Sequence, residues 1–162
     1  MFKGFERTNI TCSGIDINVL YAGSGPPVLF LHGYPQSHVM WNKVVPTLAQ
    51  HFTVITTDLR GYGDSSKPAS DSEHIAYSKR ASAIDQVAVM NHLGHAEFAL
   101  VGHDRGARVA HRMALDFPEK VRRIALIDII PTYVALEDGN LKNSIDFYNN
   151  IFTYIIILFS KN

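Results

Sequence analysis

Four short apolar runs constrain the fold of this chain more than any other feature of its sequence. They read VLFLHG, FTVITTD, EFALVG and RIALIDI, and they occupy residues 28–33, 52–58, 97–102 and 123–129. A continuous apolar run of this length is typical of a parallel strand that is buried on both faces, because no position along it is left for water. An alternating run over residues 15–21 precedes them and predicts one strand of a hairpin.

Helical patterns fill the intervals between these runs. Ser78 is a candidate N-cap and Gly94 a candidate stop for the helix that lies between them. Residues 38–51 and 105–117 also have helical spacing, and Pro46 predicts a kink in the first of these segments. Alternation of strands and helices predicts an α/β fold, with a mostly parallel sheet and helices on both faces. Ligands bind at the carboxyl edge of such a sheet. The residues that we place at this edge are His32, Asp58, Asp104 and Asp128.

The composition excludes several classes of function. The chain has 162 residues, which fits one domain, and its formal net charge is zero. Nucleic-acid binding needs a basic excess, so no nucleic-acid partner is predicted. No membrane association is predicted either, because the longest apolar run is too short to cross a bilayer and the first residues lack a secretory signal. The single cysteine, Cys12, fits a reducing compartment, so we predict a cytoplasmic protein and leave homo-oligomerisation open.

The segment Gly102-His103-Asp104-Arg105-Gly106 has the outline of a nucleophile elbow. It falls between a predicted strand and a predicted helix, which is the context such a turn requires. A carboxylate needs no base to become a nucleophile, so Asp104 could displace a leaving group from a saturated carbon. The alternative is that Asp104 only caps the helix, since aspartate is a common N-cap residue.

Two arginines narrow the chemistry. Arg105 and Arg108 lie three residues apart, on one face of the predicted helix and at the end where the helix dipole disfavours cations. Guanidinium groups grip a planar carboxylate in bidentate fashion, so we predict a small-molecule carboxylate as substrate. The alternative is that Arg105 is a solvated surface cation and that Arg108 pairs with a neighbouring acid.

An oxyanion hole is predicted beside the elbow. One donor is the backbone N–H of Arg105, and the second is the N–H of Tyr34, in the loop after the first buried strand. Tyr34 and His32 are also candidates for contact with the substrate, His32 as a residue of the pocket wall. The other histidines are interpreted as packing or surface residues, and His103 is expected to point away from the site.

Several further segments read HGYPQSHVMW, DLRGYGDSSKP, VGHDRGARVAHRMALDFP and LIDIIPT. Through them the chain resembles the α/β-hydrolase superfamily and, within it, the fluoroacetate and haloacetate dehalogenases, and the resemblance covers roughly residues 2–135. It implies that Asp104 attacks the α-carbon and expels halide, that both arginines hold the substrate carboxylate, and that Asp128 orients a catalytic histidine. It implies no metal or organic cofactor. Ala107 and Tyr34 depart from the family, where Gly and Phe are usual. Epoxide hydrolases are also similar but usually carry Trp after the nucleophile.

The end of the chain departs further from the family. We expect residues 1–135 to form the N-terminal part of an α/β-hydrolase core and residues 136–162 to form an apolar, helical tail in place of a cap. Its helical stripe would also cover the open edge of the last predicted strand. All eight histidines lie at or before His111, so we expect a truncated chain without its water-activating base. Hydrolytic dehalogenation, impaired here to a single turnover, is the prediction; a non-catalytic remnant and an epoxide hydrolase are the alternatives.

Overall fold

A computed structural model describes residues 2–70 and 72–129, and for residues 155–159 the course of the backbone. An antiparallel hairpin, β1 (Glu6–Cys12) and β2 (Ile15–Ala22), opens the fold. The four predicted buried runs are β3 (Pro27–Leu31), β4 (Thr53–Thr57), β5 (Phe98–His103) and β6 (Val121–Ile127). These four strands are parallel, and the strand order in the described sheet is β1-β2-β4-β3-β5-β6, with a seventh strand beside β6. The predicted α/β architecture is confirmed.

Three α-helices and two 3-10 turns join the described strands. They are a 3-10 turn at His38–Trp41, α1 at Val45–Leu48, a 3-10 turn at Ile75–Tyr77, α2 at Lys79–His92 and α3 at Arg105–Asp116. Ser78 caps α2 as predicted, because its hydroxyl accepts a hydrogen bond of 3.1 Å from the Ala81 N–H. The predicted kink at Pro46 is not observed. The segment forms two short helices, and Pro46 lies in the first turn of the second, where no N–H is needed.

The sheet separates two hydrophobic clusters, as the continuous apolar runs require. Leu29 and Leu31 belong to the cluster that also contains the buried residues of α2 and α3. Phe30, between them on the strand, belongs to the opposite cluster, where it packs edge-on against Trp41 with ring centroids 5.2 Å apart. Because successive residues of a strand face opposite sides, a strand with helices on both faces must be apolar throughout.

The tail of the chain differs from its predicted helix. Ile155–Phe159 forms a strand, β7, which pairs antiparallel with β6 in the register Ile127–Ile155 to Arg123–Phe159. Five consecutive apolar residues fit a strand as well as a helix, and an open strand edge offers unpaired N–H and C=O groups. The expectation that the tail covers this edge is therefore met by a strand. The rest of the predicted helical stripe, and the predicted boundary at residue 135, lie outside the described residues.

Candidate active site

Asp104 stands on a strained turn between β5 and α3. Its backbone has φ 47° and ψ −115°, a region that a residue with a side chain rarely adopts. Two hydrogen bonds hold the turn, one from the Asp104 N–H to the Ile127 carbonyl at 3.0 Å and one from the Arg108 N–H to the Asp104 carbonyl at 3.1 Å. Such strain costs about 1–3 kcal/mol and persists only where the surrounding structure enforces it, which is common at functional sites.

The Asp104 side chain does not cap the helix. It makes no side-chain capping bond to α3, although it occupies the N-cap position. Instead its Oδ2 accepts a hydrogen bond of 2.8 Å from the backbone N–H of Tyr34. The described part of the chain provides no hydrogen bond to the other oxygen, Oδ1. The carboxylate is therefore fixed by one oxygen, and the second is available to react.

Two glycines allow the backbone around Asp104 to close up. A Cβ on Gly106 would lie 2.4 Å from the His32 carbonyl oxygen and 2.5 Å from that of Leu31. A Cβ on Gly33 would lie 2.7 Å from the Asp104 Cβ. Ala107 stands where the resembled family usually has Gly. Its fully buried side chain fits there because the residue packs against Gly102, which has no Cβ.

The two predicted arginines lie at the start of α3. Neither Arg105 nor Arg108 forms an ion pair with an acidic side chain of the described residues, so the pairing alternative for Arg108 finds no support. The Arg105 guanidinium lies over the Tyr34 ring, 4.9 Å from its centroid. Tyr34 is 59% exposed, and the departure from Phe at this position therefore places a hydroxyl at the surface rather than in the core.

Lys79 is a third cation beside the elbow, and it was not predicted from the sequence. Burial lowers the pKa of its amine, Arg105 and Arg108 lower it further, and Asp104 raises it. Its ammonium therefore lies within the electrostatic field of the same three residues. The signal was available, because Lys79 occupies the first position of α2, where the helix dipole disfavours a cation just as it does at Arg105.

His103 and Asp128 are brought together at the ends of β5 and β6. The His103 Nε2 lies 3.5 Å from the Asp128 Oδ2, and the Asp128 side chain is about half exposed. The His103 Nδ1 is buried and has no hydrogen-bond partner among the described residues. A Cβ on Gly33 would lie 2.7 Å from this nitrogen and 2.7 Å from the Asp104 Cβ. The His103 ring therefore packs between Gly33 and Asp128, and its approach to Asp128 was not predicted from the sequence.

His32 was predicted to line the pocket wall, and the structure places it in the core instead. Its ring is fully buried, and both nitrogens are occupied. The Nδ1–H donates to the Gly33 carbonyl at 2.8 Å, and Nε2 accepts from the Leu59 N–H at 3.0 Å. Burial lowers its pKa, so the imidazole is held neutral. His32 joins the ends of β3 and β4 and offers no atom to a pocket wall.

A buried carboxylate, Asp58, fixes the loops beside the elbow. Its Oδ1 accepts hydrogen bonds from the His38 ring at 2.8 Å and the His38 N–H at 2.7 Å, and its Oδ2 accepts from Asn18 at 2.9 Å and the Asp64 N–H at 3.0 Å. Although burial raises its pKa, the hydrogen bonds from His38 and Asp64 bring it to about 2. Asp58 is therefore a structural acid at the predicted edge.

We expect the Asp58 network to make the chain acid-labile in a defined window. Because the folded pKa is about 2 and the unfolded value is 3.8, its contribution is complete above pH 4 and is lost as the pH falls through 2. The shift corresponds to about 2 kcal/mol of unfolding free energy. Urea titrations between pH 2 and pH 7 measure it. Asp58→Asn should remove this pH dependence and destabilise the chain by about 3 kcal/mol.

The control for this prediction is Asp64→Asn. The Asp64 carboxylate forms an exposed pair with Arg7, whereas its backbone N–H, which binds Asp58, is kept in the variant. Exposed pairs contribute less than about 1 kcal/mol. Equal loss of stability in both variants, or an unchanged acid transition in D58N, would contradict the assignment to Asp58.

These groups can support nucleophilic attack at a saturated carbon. The site combines a carboxylate with one free oxygen, a backbone N–H on the other oxygen and cations without acidic partners in the described structure. Within residues 2–70 and 72–129, no cluster of three or more His, Cys, Asp or Glu residues could hold a metal ion. No helix of the described chain is long and apolar enough to cross a membrane.

The fold and the elbow define the class of the protein. Residues 26–149 match the family of the alpha/beta hydrolase fold, and the chain belongs to this family. A candidate α/β hydrolase from Nostoc sp PCC 7120 has the same architecture, with a TM-score of 0.87 and 54% identity over 92% of this chain and 51% of that chain.

Relatives with two activities resemble the chain. It is 53% identical over 138 residues to a fluoroacetate dehalogenase of Burkholderia sp, covering 85% of this chain and 45% of that protein. It is 40% identical over 127 residues to a soluble epoxide hydrolase of Corynebacterium sp. (strain C12), covering 78% of this chain and 43% of that protein. The chain thus spans somewhat less than half the length of these relatives.

Proposed function

We propose that this chain carries the alkylating half of a hydrolytic dehalogenase that acts on small 2-haloacids. The free Oδ1 of Asp104 attacks the α-carbon, the carbon–halogen bond breaks, and halide leaves with the electron pair. The product is an ester between Asp104 and the former α-carbon. The observation that carries the proposal is the Asp104 carboxylate itself, bound at one oxygen by the Tyr34 N–H instead of capping α3.

The arginines support a carboxylate substrate over a neutral one. Arg105 and Arg108 flank the nucleophile, and neither is ion-paired with an acid within the described residues. Tyr34 supports Arg105 through its ring and, through its N–H, stabilises the oxygen on which negative charge develops when water later attacks the ester. The similarity to the Burkholderia fluoroacetate dehalogenase, which exceeds that to the epoxide hydrolase, agrees with this choice.

Hydrolysis of the ester needs a base to activate water. The resemblance assigns Asp128 the task of orienting a histidine for that step. In the described residues the imidazole that faces Asp128 is that of His103, at 3.5 Å. We propose Asp128 as the acid that orients the water-activating histidine, because it follows β6 at the same edge of the sheet as Asp104, and we assign Asp104, Arg105 and Arg108 to the first half-reaction.

A pair of matched substrates tests the role of the arginines. Chloroacetate carries a carboxylate, whereas chloroacetamide offers the same carbon and leaving group without the charge. Arg108→Gln should slow ester formation from subsaturating chloroacetate by about 30-fold or more, because a charge-assisted pair is lost. The measurement is the rate of adduct formation by intact mass. With chloroacetamide the variant should match the parent chain.

Arg112→Gln is the matched control, because Arg112 lies on the same helix but pairs with Asp116. It should leave both rates unchanged. Equal slowing of both substrates by R108Q would remove the basis for carboxylate recognition. Efficient alkylation of Asp104 by styrene oxide, with none by chloroacetate, would favour the epoxide-hydrolase alternative.

A further inference from the structure

A small cleft lies between the first turns of α2 and α3. Lys79 and Arg105 line it from the two helices, together with the hydroxyl-bearing residues Ser82 and Tyr62. Its volume is about 50 Å³. Because roughly 10–15 Å³ of such volume is enough to hold one water, the cleft has room for a monatomic anion or a few waters. Asp104 does not line it, so the cleft is separate from the position of the nucleophile.

The cations of the cleft are not equivalent. Arg60 also lines it, but its guanidinium is fully engaged by both Asp85 oxygens and the Ala76 carbonyl, all at 2.6 Å. Lys79 and Arg105 have no acidic partner among the described residues. Both the ammonium and the guanidinium are therefore available to a ligand in the cleft. The two groups repel each other, so it is the packing of α2 against α3 that holds them close together.

The local charge is unbalanced. Lys79, Arg105 and Arg108 contribute three positive charges, and the acid that acts on Lys79 is Asp104 alone. A substrate carboxylate held by Arg105 and Arg108 would still leave one of the three positive charges unmatched. Burial and the two arginines all lower the pKa of Lys79, so its surroundings disfavour the charged ammonium. A monovalent anion bound beside it would stabilise the charged form.

We propose that this cleft is a second anion site, which binds a small monovalent anion such as a halide ion between the Lys79 ammonium and the Arg105 guanidinium. Lys79 and Arg105 line the cleft and Asp104 does not, so the anion would lie beside the nucleophile rather than on it. The bound anion neutralises Lys79 and fixes Arg105 over Tyr34. This inference does not depend on dehalogenation, because it concerns the binding of an inorganic anion by the resting protein.

Bromide is the probe for the test, because its anomalous scattering locates it directly. Crystals of the 162-residue chain soaked in sodium bromide should show a peak between the Lys79 Nζ and the Arg105 guanidinium. In solution, bromide should raise Tm relative to gluconate at constant ionic strength. Lys79→Gln should weaken bromide binding by roughly 10-fold to 100-fold, as expected for the loss of a charge-assisted contact.

Two further variants make the test decisive. Lys79→Arg keeps the charge and should retain the bromide effect, whereas Lys43→Gln removes an exposed lysine elsewhere and should leave it unchanged. If K79Q fails to fold, the anomalous map of the parent chain decides. A cleft without bromide density, bromide bound only at Arg108, or the same Tm response in K79Q and K43Q would each overturn the proposal.

Discussion

Asp104→Asn should abolish the formation of a covalent adduct with chloroacetate. The asparagine amide has nearly the shape of the carboxylate and can still accept a hydrogen bond from Tyr34, but it lacks the charge that makes the oxygen nucleophilic. We expect the rate of adduct formation to fall by roughly 10⁴-fold or more, as for the removal of a nucleophile elsewhere. Intact mass measured over time gives both rates, and chloride release gives an independent measure.

The fold should survive this substitution. The backbone strain at Asp104 is present in both chains, and the hydrogen bond to Tyr34 is retained. The matched control is Asp64→Asn, which neutralises an exposed carboxylate without touching the elbow and should alkylate at the parent rate. If D104N keeps its Tm and still forms the adduct at a comparable rate, Asp104 is not the nucleophile.

Gly106→Ala should destabilise the chain by about 3 kcal/mol or more, because a Cβ would overlap two backbone carbonyls. The His32 oxygen would be 2.4 Å away and the Leu31 oxygen 2.5 Å away. Neither can rotate aside, since Leu31 ends β3 and His32 directly follows it. Helix propensity predicts the opposite sign, because Ala in an open helix is better than Gly by about 1 kcal/mol. The sign of the change in unfolding free energy, measured with urea, therefore decides between the two effects.

Gly94→Ala separates the clash from backbone strain. Gly94 has φ 82°, but a Cβ there would meet nothing within 4 Å. It should cost about 1 kcal/mol through conformation alone. If G106A were no less stable than G94A, the predicted overlap of a Cβ at position 106 with the carbonyls of Leu31 and His32 would be contradicted. The prediction links stability to function, because the same approach positions the Tyr34 N–H against Asp104.

The architecture was predictable because its signals are local and agree with one another. Continuous apolar runs gave β3 to β6, and the Ser78 cap fixed the start of α2. The elbow followed from two glycines around an aspartate between a strand and a helix. Each of these signals depends on a few neighbouring residues, and tertiary packing reinforces them.

The parts that were missed depend on contacts that sequence spacing does not contain. The role of His32 is set by the Leu59 N–H, 27 residues away along the chain, and by its complete burial. Lys79 joins the elbow only because α2 and α3 pack together. The five consecutive apolar residues of β7 fit the spacing of a helix as well as that of a strand. Pairing with β6 determines that they form a strand.

Cysteine is the natural competitor for a haloacetate, and the structure excludes it as an easy target. Cys12 is buried at 6% exposure, and burial raises the pKa of its thiol, so little reactive thiolate is present. Cys12→Ser should therefore leave adduct formation by the folded chain unchanged. An ester and a thioether also differ chemically, because hydroxylamine cleaves an ester and leaves a thioether intact.

The central claim is that Asp104 forms an ester with the α-carbon of a haloacid. Peptide mapping of the folded chain after incubation with chloroacetate tests it most directly. We expect a carboxymethyl ester on Asp104 that hydroxylamine releases, present in C12S and absent in D104N. A hydroxylamine-stable label on Cys12 or another side chain, with Asp104 unmodified in a folded sample, would contradict it.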